Sequence, residues 1–390
     1  MKKWIMILCL LLLTGCWDRK ELSEIGIVAG MAIDKNSETG EYIMTSQYLR
    51  PAAESTQTPT PEQPFLVVST TGKTIAAVMN KANYTIDRKS FFAHNKVIII
   101  SEEVARDGLI PVIDAFQRGK EVRGHVWFSV AKDIEAKKLL QIKQEKISRV
   151  PANALSNLFE NGEYDATTVD LLTYYKEVLC AGEDSVVGVL IREETDIEPY
   201  ERVKLSGGAA FKKDKLVGFL DESETRGYNW ITGGGASPVQ GAMTLPSLLE
   251  KDKFVTVLLR ALKSDIQPNV NEDGQISFTI NVEQKLRMTG QESTVELQDR
   301  KEITDYLNDL QGEAEKKIEA EIKRVIDKAQ KEFQSDIFAF GDILYKHYPK
   351  VWNKEKENWS ETFATVPYTV NVRAEIISSG LLQGPFKPQE

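Results

Sequence analysis

Across residues 301–334 the apolar side chains fall at Ile303, Leu307, Leu310, Ala314, Ile318, Ile322, Val325, Ala329 and Phe333. Steps of four and three keep them on one stripe of an α-helix. Any fold of this chain must therefore supply one long apolar surface to cover that stripe. Glu313 with Lys317, and Glu319 with Lys323, stand four apart on the wet side, where opposite charges support a helix. A coiled-coil partner helix would show a strict heptad. This spacing is not one, and strand-like sequence lies on both sides, so the helix is expected to pack on a sheet of its own chain.

The rest of the chain supplies the strands. Residues 25–34 and 42–49 read as a hairpin about Lys35-Asn36-Ser37-Glu38-Thr39-Gly40. Residues 51–64 carry four prolines and little apolar matter, a mobile surface loop, and strand-like sequence resumes at Phe65. Residues 73–82 read as helix, 97–101 as a buried strand, 102–118 as helix with Pro111 at a break or new start, and 126–131 as strand. Helical stretches follow near 136–142, 152–160 and 169–179, and a strand at 186–191 is expected to close this lobe. Residues 192–200 are charged and poor in apolar side chains, and mark a boundary. Beyond it, 205–211 pairs with 216–221 across Lys212-Lys213-Asp214, and 254–263 with 276–286 across Asn271-Glu272-Asp273-Gly274, where Asp-Gly is a strong hairpin signal. A strand at 368–377 would return to the sheet of the long helix. The expected class is α+β: two to three mixed α/β lobes, antiparallel or mixed sheets flanked by helices, and one long amphipathic helix in the C-terminal lobe. The expected domains are 16–195 and 200–385, the second either whole or divided into a hairpin lobe, 200–250, and a larger lobe, 251–385.

Residues 1–15 stand outside this plan. Ten apolar residues, 4–13, follow Lys2 and Lys3 and end at Thr14-Gly15-Cys16. A bilayer-spanning helix needs about 20 residues, so the run is too short for one and has the layout of a secretory signal. Leu13-Thr14-Gly15-Cys16 resembles a bacterial lipobox, in which the cysteine thiol is joined to diacylglycerol before cleavage. Cleavage between Gly15 and Cys16 leaves 375 of the 390 residues and, with Lys2 and Lys3 gone, takes the formal charge from −9 to −11. So acidic a chain lacks the broad positive field of a nucleic-acid binder, and membrane attachment would rest on the lipid at Cys16. With Cys9 in the signal and Cys16 acylated, Cys180 is alone, so no disulfide forms within the mature chain.

The search for catalytic chemistry comes back empty. Gly72-Lys73-Thr74 ends like a phosphate loop, but the glycine required five residues earlier is Val67, so a strand-to-helix turn with Thr74 near the helix start is the better reading. In Gly233-Gly234-Gly235-Ala236-Ser237-Pro238 the third glycine of a dinucleotide loop is replaced by Pro238, leaving a flexible turn. His94, His125 and His347 form no metal-binding spacing. His125 and Cys180 could serve as base and nucleophile only if the fold joined them; a strand histidine and a structural cysteine are favoured. No catalytic residue, cofactor or metal is assigned. Trp352 and Trp359, seven apart in a helical stretch, would face the same way. Packing on the lobe's core is favoured over an aromatic patch that docks on a membrane partner or at the headgroup level.

Five blocks stand in order along the chain: Gly15-Cys16-Trp17-Asp18 with Glu21-Leu22, Gly72-Lys73-Thr74-Ile75, FFAHNKVIIISEEVARDG (91–108), GGAAFKKDKLVGFLDESETRGYNWITG (207–233) and AQKEFQSDIFAFGDILYKHYPKVWNKEKENWSETF (329–363). Together they resemble the Ger(x)C lipoprotein family, the C subunits of bacterial spore germinant receptors. The resemblance implies a non-catalytic subunit held by an N-palmitoyl, S-diacylglycerol Cys16 on the outer face of the spore's inner membrane. Its partners would be the integral-membrane A and B subunits, which help detect nutrients and trigger ion release. The competing classes are a solute-binding lipoprotein of a transporter, which would need two lobes of repeated βα units, and a lipid-anchored hydrolase, which would need a nucleophile or metal set.

Overall fold

The computed structural model describes residues 24–50, 63–119, 121–142, 148–162, 164–196, 201–233, 241–297 and 299–378. The signal segment, Cys16 and residues 51–62 of the proline-rich loop lie outside them. Strands β1 (Ile25–Lys35), β2 (Tyr42–Leu49) and β3 (Phe65–Gly72) form an antiparallel meander. Helix α1 (Ile75–Ala82) then leads to β4 (Lys89–Phe91), parallel to the start of β1, and to β5 (Val97–Ser101), parallel to its second half. Helices α2 (Glu102–Asp107) and α3 (Ile110–Gly119) follow, with Pro111 in the first turn of α3, where its missing N–H costs nothing. Next come β6 (Trp127–Ala131), α4 (Ala136–Leu139), α5 (Pro151–Glu160), α6 (Leu171–Leu179) and β7 (Val186–Glu194).

The expectation that this last strand closes the lobe is corrected by the pairing. Strands β8 (Glu201–Lys212) and β9 (Lys215–Leu220) continue the sheet antiparallel beyond β7, in the order β3-β2-β1-β5-β6-β7-β8-β9. Residues 192–194 of the charged connector are themselves strand, because Arg192 and Glu194 lie opposite Val203 and Glu201. Val97, Ile98, Ile99 and Ile100 are fully buried, since the sheet is covered on both faces. Ile98 and Ile100 meet Val78, Val112 and Tyr174 on one side; Val97 and Ile99 meet Leu139 and Leu155 on the other.

Helix α7 (Glu222–Thr232) starts at a capping box of Asp221 and Glu224 and ends at Gly233 with φ +80°. The rest of the glycine cluster, 234–238, falls outside the described residues. A four-stranded sheet follows: β10 (Ala242–Pro246), β11 (Phe254–Val270) and β12 (Ile276–Gln291) antiparallel, then the last strand, parallel to β12. Between these two parallel strands runs α8 (Arg300–Lys328), capped by Asp299, which accepts from Lys301 N at 2.8 Å and Glu302 N at 2.9 Å. Leu310, Ala314, Ile318, Ile322, Val325 and Ala329 are fully buried against the sheet, while Ile303 and Leu307 are half-buried. Each buried Leu, Ile or Val contributes roughly 1.5–3 kcal/mol. Glu319 pairs with Lys323, but Glu313 pairs with Lys316; Lys317 reaches instead to the Thr244 carbonyl of β10, 3.0 Å away.

Helix α8 runs on into a π-helical turn, Ala329–Phe333, that stops at Gln334 in left-handed conformation, φ +49°. Then come α9 (Phe340–His347), α10 (Pro349–Glu355), α11 (Trp359–Thr365) and β13 (Tyr368–Ser378). The fold is α+β, with sheets flanked by helices and one long amphipathic helix in the C-terminal half. The core under α8 also takes in Val186, Ala210 and Leu220 of the nine-stranded sheet, so the two halves are packed together.

Candidate functional site

The most densely bonded polar site lies where the segment after α6 meets the segment before α9. Helix α6 ends at Cys180, and Gly182 follows with φ +89°, a conformation glycine adopts at little cost. That turn presses backbone on backbone. A Cβ on Gly182 would lie 2.8 Å from Gly341 Cα and 2.5 Å from the Trp352 ring, and one on Gly341 would lie 2.7 Å from Gly182 Cα. The Asp342 amide donates to the Gly182 carbonyl at 3.2 Å, and the Asp184 amide to the Asp336 carbonyl at 2.8 Å.

Two carboxylates lock this contact. Asp336, 2 % exposed, accepts from the amides of Phe338 (3.3 Å), Phe340 (3.1 Å) and Gly341 (2.8 Å) and from Trp359 Nε1 (2.8 Å). Burial pushes its carboxyl up to about 7 against the hydrogen bonds from Gly341, Trp359 and Phe340, and nearby Asp184 adds to the rise. Asp184 accepts from Lys213 N (2.6 Å) in the β8–β9 turn, from the Ser335 hydroxyl (2.8 Å) and from Asp336 N (3.2 Å), and is itself raised by burial. The loop that delivers Asp336 holds two non-glycine residues at positive φ, Gln334 and Ala339 at +59°. Such strain persists where the surroundings over-determine it.

Beside this lock, Cys180, Glu183 and Asp342 offer donor atoms within 4.8 Å of one another. Burial, together with Asp342 and Glu183, pushes the Cys180 thiol up to about 12, and burial beside Asp342 raises Glu183. The thiol therefore keeps its proton at neutral pH and is not an activated nucleophile. His125 does not approach it. His125 Nδ1 lies 2.9 Å from Asp170, which caps the start of α6, while Cys180 ends that helix roughly 13–15 Å along its axis.

Other residues singled out in the sequence have structural work. Thr74 caps α1 by accepting from Ala77 N at 3.2 Å, and Lys73 lines a cleft of ≈ 750 Å³ with Asn80, Asp114 and Arg118. His94, in a 3-10 turn, meets the Phe91 ring at a tilt of 57° with centroids 5.3 Å apart. Trp352 and Trp359 sit on separate helices, because Pro349 starts α10 afresh and residues 356–358 turn as 3-10. Both are buried and meet edge to face at 5.3 Å, so they belong to the core rather than to a docking patch.

The two sides of the lock fall in two separately matched segments. Residues 18–191 match the family model described as spore germination protein N-terminal domain, and residues 206–380 match spore germination B3/GerAC like, C-terminal. The chain belongs to this spore germination family. Among relatives of this germination-family chain in Bacillus subtilis (strain 168), spore germination protein B3 is 28% identical over 380 residues, 96% of this chain and 97% of the relative. Spore germination protein KC is 24% identical over 406 residues, 99% of this chain and 97% of the relative. The crystal structure of the GerBC protein shares the fold, with a TM-score of 0.55 at 22% identity, covering 92% of this chain and all of that one.

In this family member Asp184, Asp336, Gly182 and Gly341 escape a search for catalytic patterns. A signal for one of them existed. Asp336 is an acid beside Ile337-Phe338-Ala339-Phe340, and an ionisable group in so apolar a run needs buried partners.

Proposed function

We propose that this chain is the non-catalytic, lipid-anchored C subunit of a nutrient germinant receptor. The observation that carries the reading is collinearity: both family segments occur in order on one chain, and its B3 relative aligns with nearly its whole length. On this reading residues 1–15 are a signal removed between Gly15 and Cys16, and Cys16 becomes the N-palmitoyl, S-diacylglycerol terminus. It holds the protein on the outer face of the spore's inner membrane, beside integral-membrane A and B subunits. No helix among the described residues is long and apolar enough to cross a membrane, which leaves the anchoring to lipid in this reading. The mature chain would comprise units 16–195 and 200–385, the first hairpin of the second unit completing the sheet of the first. The Gly182–Gly341 contact and the Asp184–Asp336 lock would make the two units one lever, so that a displacement at one is felt at the other.

Detergent phase partitioning tests the anchor. Wild type is expected in the detergent phase and Cys16→Ala in the aqueous phase; aqueous wild type would end the lipoprotein reading. Spores lacking the chain, and spores overexpressing it with its partner subunits, test the role. Altered response across a nutrient panel is expected, and unchanged germination in both would refute it.

A further inference from the structure

We infer that the loop between α1 and β4, residues 83–88, together with Arg50 and Lys89, forms a second membrane contact that sits among lipid headgroup phosphates. The inference rests on the acylation of Cys16 proposed above. Nine residue steps separate Cys16 from Ile25, so the lipid lies at most about 32 Å from the first residue of β1. Strand β1 then runs ten further steps to Lys35, roughly 33 Å at strand rise. The tether thus keeps the end of the nine-stranded sheet where β1 starts within about 32 Å of the bilayer, whereas the other end can stand about 33 Å further away.

The near end carries the chemistry of an interface. Lys89 pairs with Ile25 in register, so Arg88 and Lys89 flank the emerging N-terminus. The loop is pinned there: a Cβ on Gly26 would lie 2.7 Å from Ile86 Cδ1 and 3.2 Å from the Tyr48 ring. Tyr48 in turn leads through Leu49 to Arg50 at the same end. The loop is also internally braced, with Tyr84 N donating to the Lys81 carbonyl, Thr85 N to the Ala82 carbonyl, and Asn83 Oδ1 accepting from Ser90 N at 2.9 Å. On this rigid support Tyr84 stands 83 % exposed, an aromatic ring held out into solvent. Arg50, Arg88 and Lys89 are exposed beside it and form no ion pair with any described residue. Among the described residues, Asp87 and Glu24 are the acids next to Arg88 and Lys89 or Ile25 in sequence, and Glu121 shares a cleft with Asn83 at the start of the loop. An exposed tyrosine flanked by arginine and lysine that pair with no described residue, on a chain whose formal charge of −9 becomes −11 once Lys2 and Lys3 are removed, fits the headgroup zone, where rings take the interface and cations take phosphate.

The test uses the full acylated chain in a Cys180→Ser background, carrying an environment-sensitive dye at Tyr84→Cys or, as control, at Glu38→Cys in the β1–β2 turn at the far end. The protein is bound to vesicles of phosphatidylcholine, alone or mixed with phosphatidylglycerol, with nitroxide quenchers at headgroup depth. Dye at 84 is expected to be severalfold brighter than dye at 38 and to be quenched, more so with phosphatidylglycerol. Reversing Arg50, Arg88 and Lys89 to Glu is expected to cut that quenching severalfold while the protein still floats with the vesicles. Protein that floats with residue 84 in water overturns this inference alone; protein that does not float overturns the anchor with it. Quenching equal at 84 and 38, quenching unmoved by charge reversal, or brightening that requires the A and B subunits would also overturn it, the last assigning the loop to a protein partner.

Discussion

Alanine at Gly182 should be among the costliest small substitutions in the chain, and three glycines separate the reasons. Gly274, at φ +79° in the β11–β12 turn, has nothing within 4 Å of a built Cβ. Gly274→Ala therefore carries only the left-handed backbone penalty, about 1–2 kcal/mol. Gly341 has no positive φ, but its Cβ would lie 2.7 Å from both Gly182 Cα and Trp359 Nε1. Overpacking typically costs about 1–3 kcal/mol, less about 1 kcal/mol for alanine's better helix propensity, so Gly341→Ala should cost about 0–2 kcal/mol. Gly182 combines φ +89° with contacts at 2.5 Å and 2.8 Å, the second to backbone that cannot rotate away. The sum for Gly182→Ala is about 2–5 kcal/mol. Urea unfolding followed by tryptophan fluorescence suits the comparison, because Trp352 and Trp359 lie at the junction itself. If Gly182→Ala proves no costlier than Gly274→Ala, the close backbone contact between the two halves does not exist.

Further outcomes follow from the same region and its neighbours. Asp336, lifted from an unfolded value near 3.8 to about 7, holds a proton that the unfolded chain releases. Its contribution is thus complete below about pH 4 and is lost as pH rises through 7, by at most about 4 kcal/mol. The stability gap between wild type and Asp336→Asn should narrow over that window. Glu177, at about 8, slopes the same way in both proteins and cancels in the difference, whereas Asp184, coupled to Asp336, loses part of its rise in Asp336→Asn and adds to the narrowing. A gap that widens with pH would contradict the assignment. Cys180 should react slowly with a disulfide reagent at pH 8, and Glu183→Gln with Asp342→Asn should speed it about threefold for each unit by which the thiol falls, since the gain in thiolate is partly offset by its lower nucleophilicity. An unchanged rate would remove those carboxylates as the cause. Glu321→Gln strips the half-buried Arg226 of its partner, bonded at 2.6 Å and 3.0 Å, and should lower stability by about 2 kcal/mol. Thermal unfolding measures it, and a loss under about 0.5 kcal/mol would show that solvent screens the pair.

What the sequence made legible was local. The stripe from Leu310 to Ala329 predicts the buried face of α8, and Asp273-Gly274 predicts the turn of the β11–β12 hairpin, because both depend on neighbours a few residues away. The long-range pairings were not legible. Nothing in 186–191 tells an edge strand from an inner one, so the addition of β8 and β9 could not be foreseen. The stretch holding Trp352 and Trp359 looks like one helix, yet Pro349 and the 3-10 turn split it, and the indoles still meet. The lock is the extreme case. Asp184 and Ser335 are 151 residues apart, and only the folded chain shows that Gly182 must be small because Gly341 is there.

The most direct test of the proposed role is nutrient-triggered germination of spores that lack this chain and overexpress its partner subunits, complemented with wild type or with Cys16→Ala at matched protein levels. The account expects wild type to restore the response and Cys16→Ala to fail. A full response from the unacylated variant, or no defect without the chain, would contradict it.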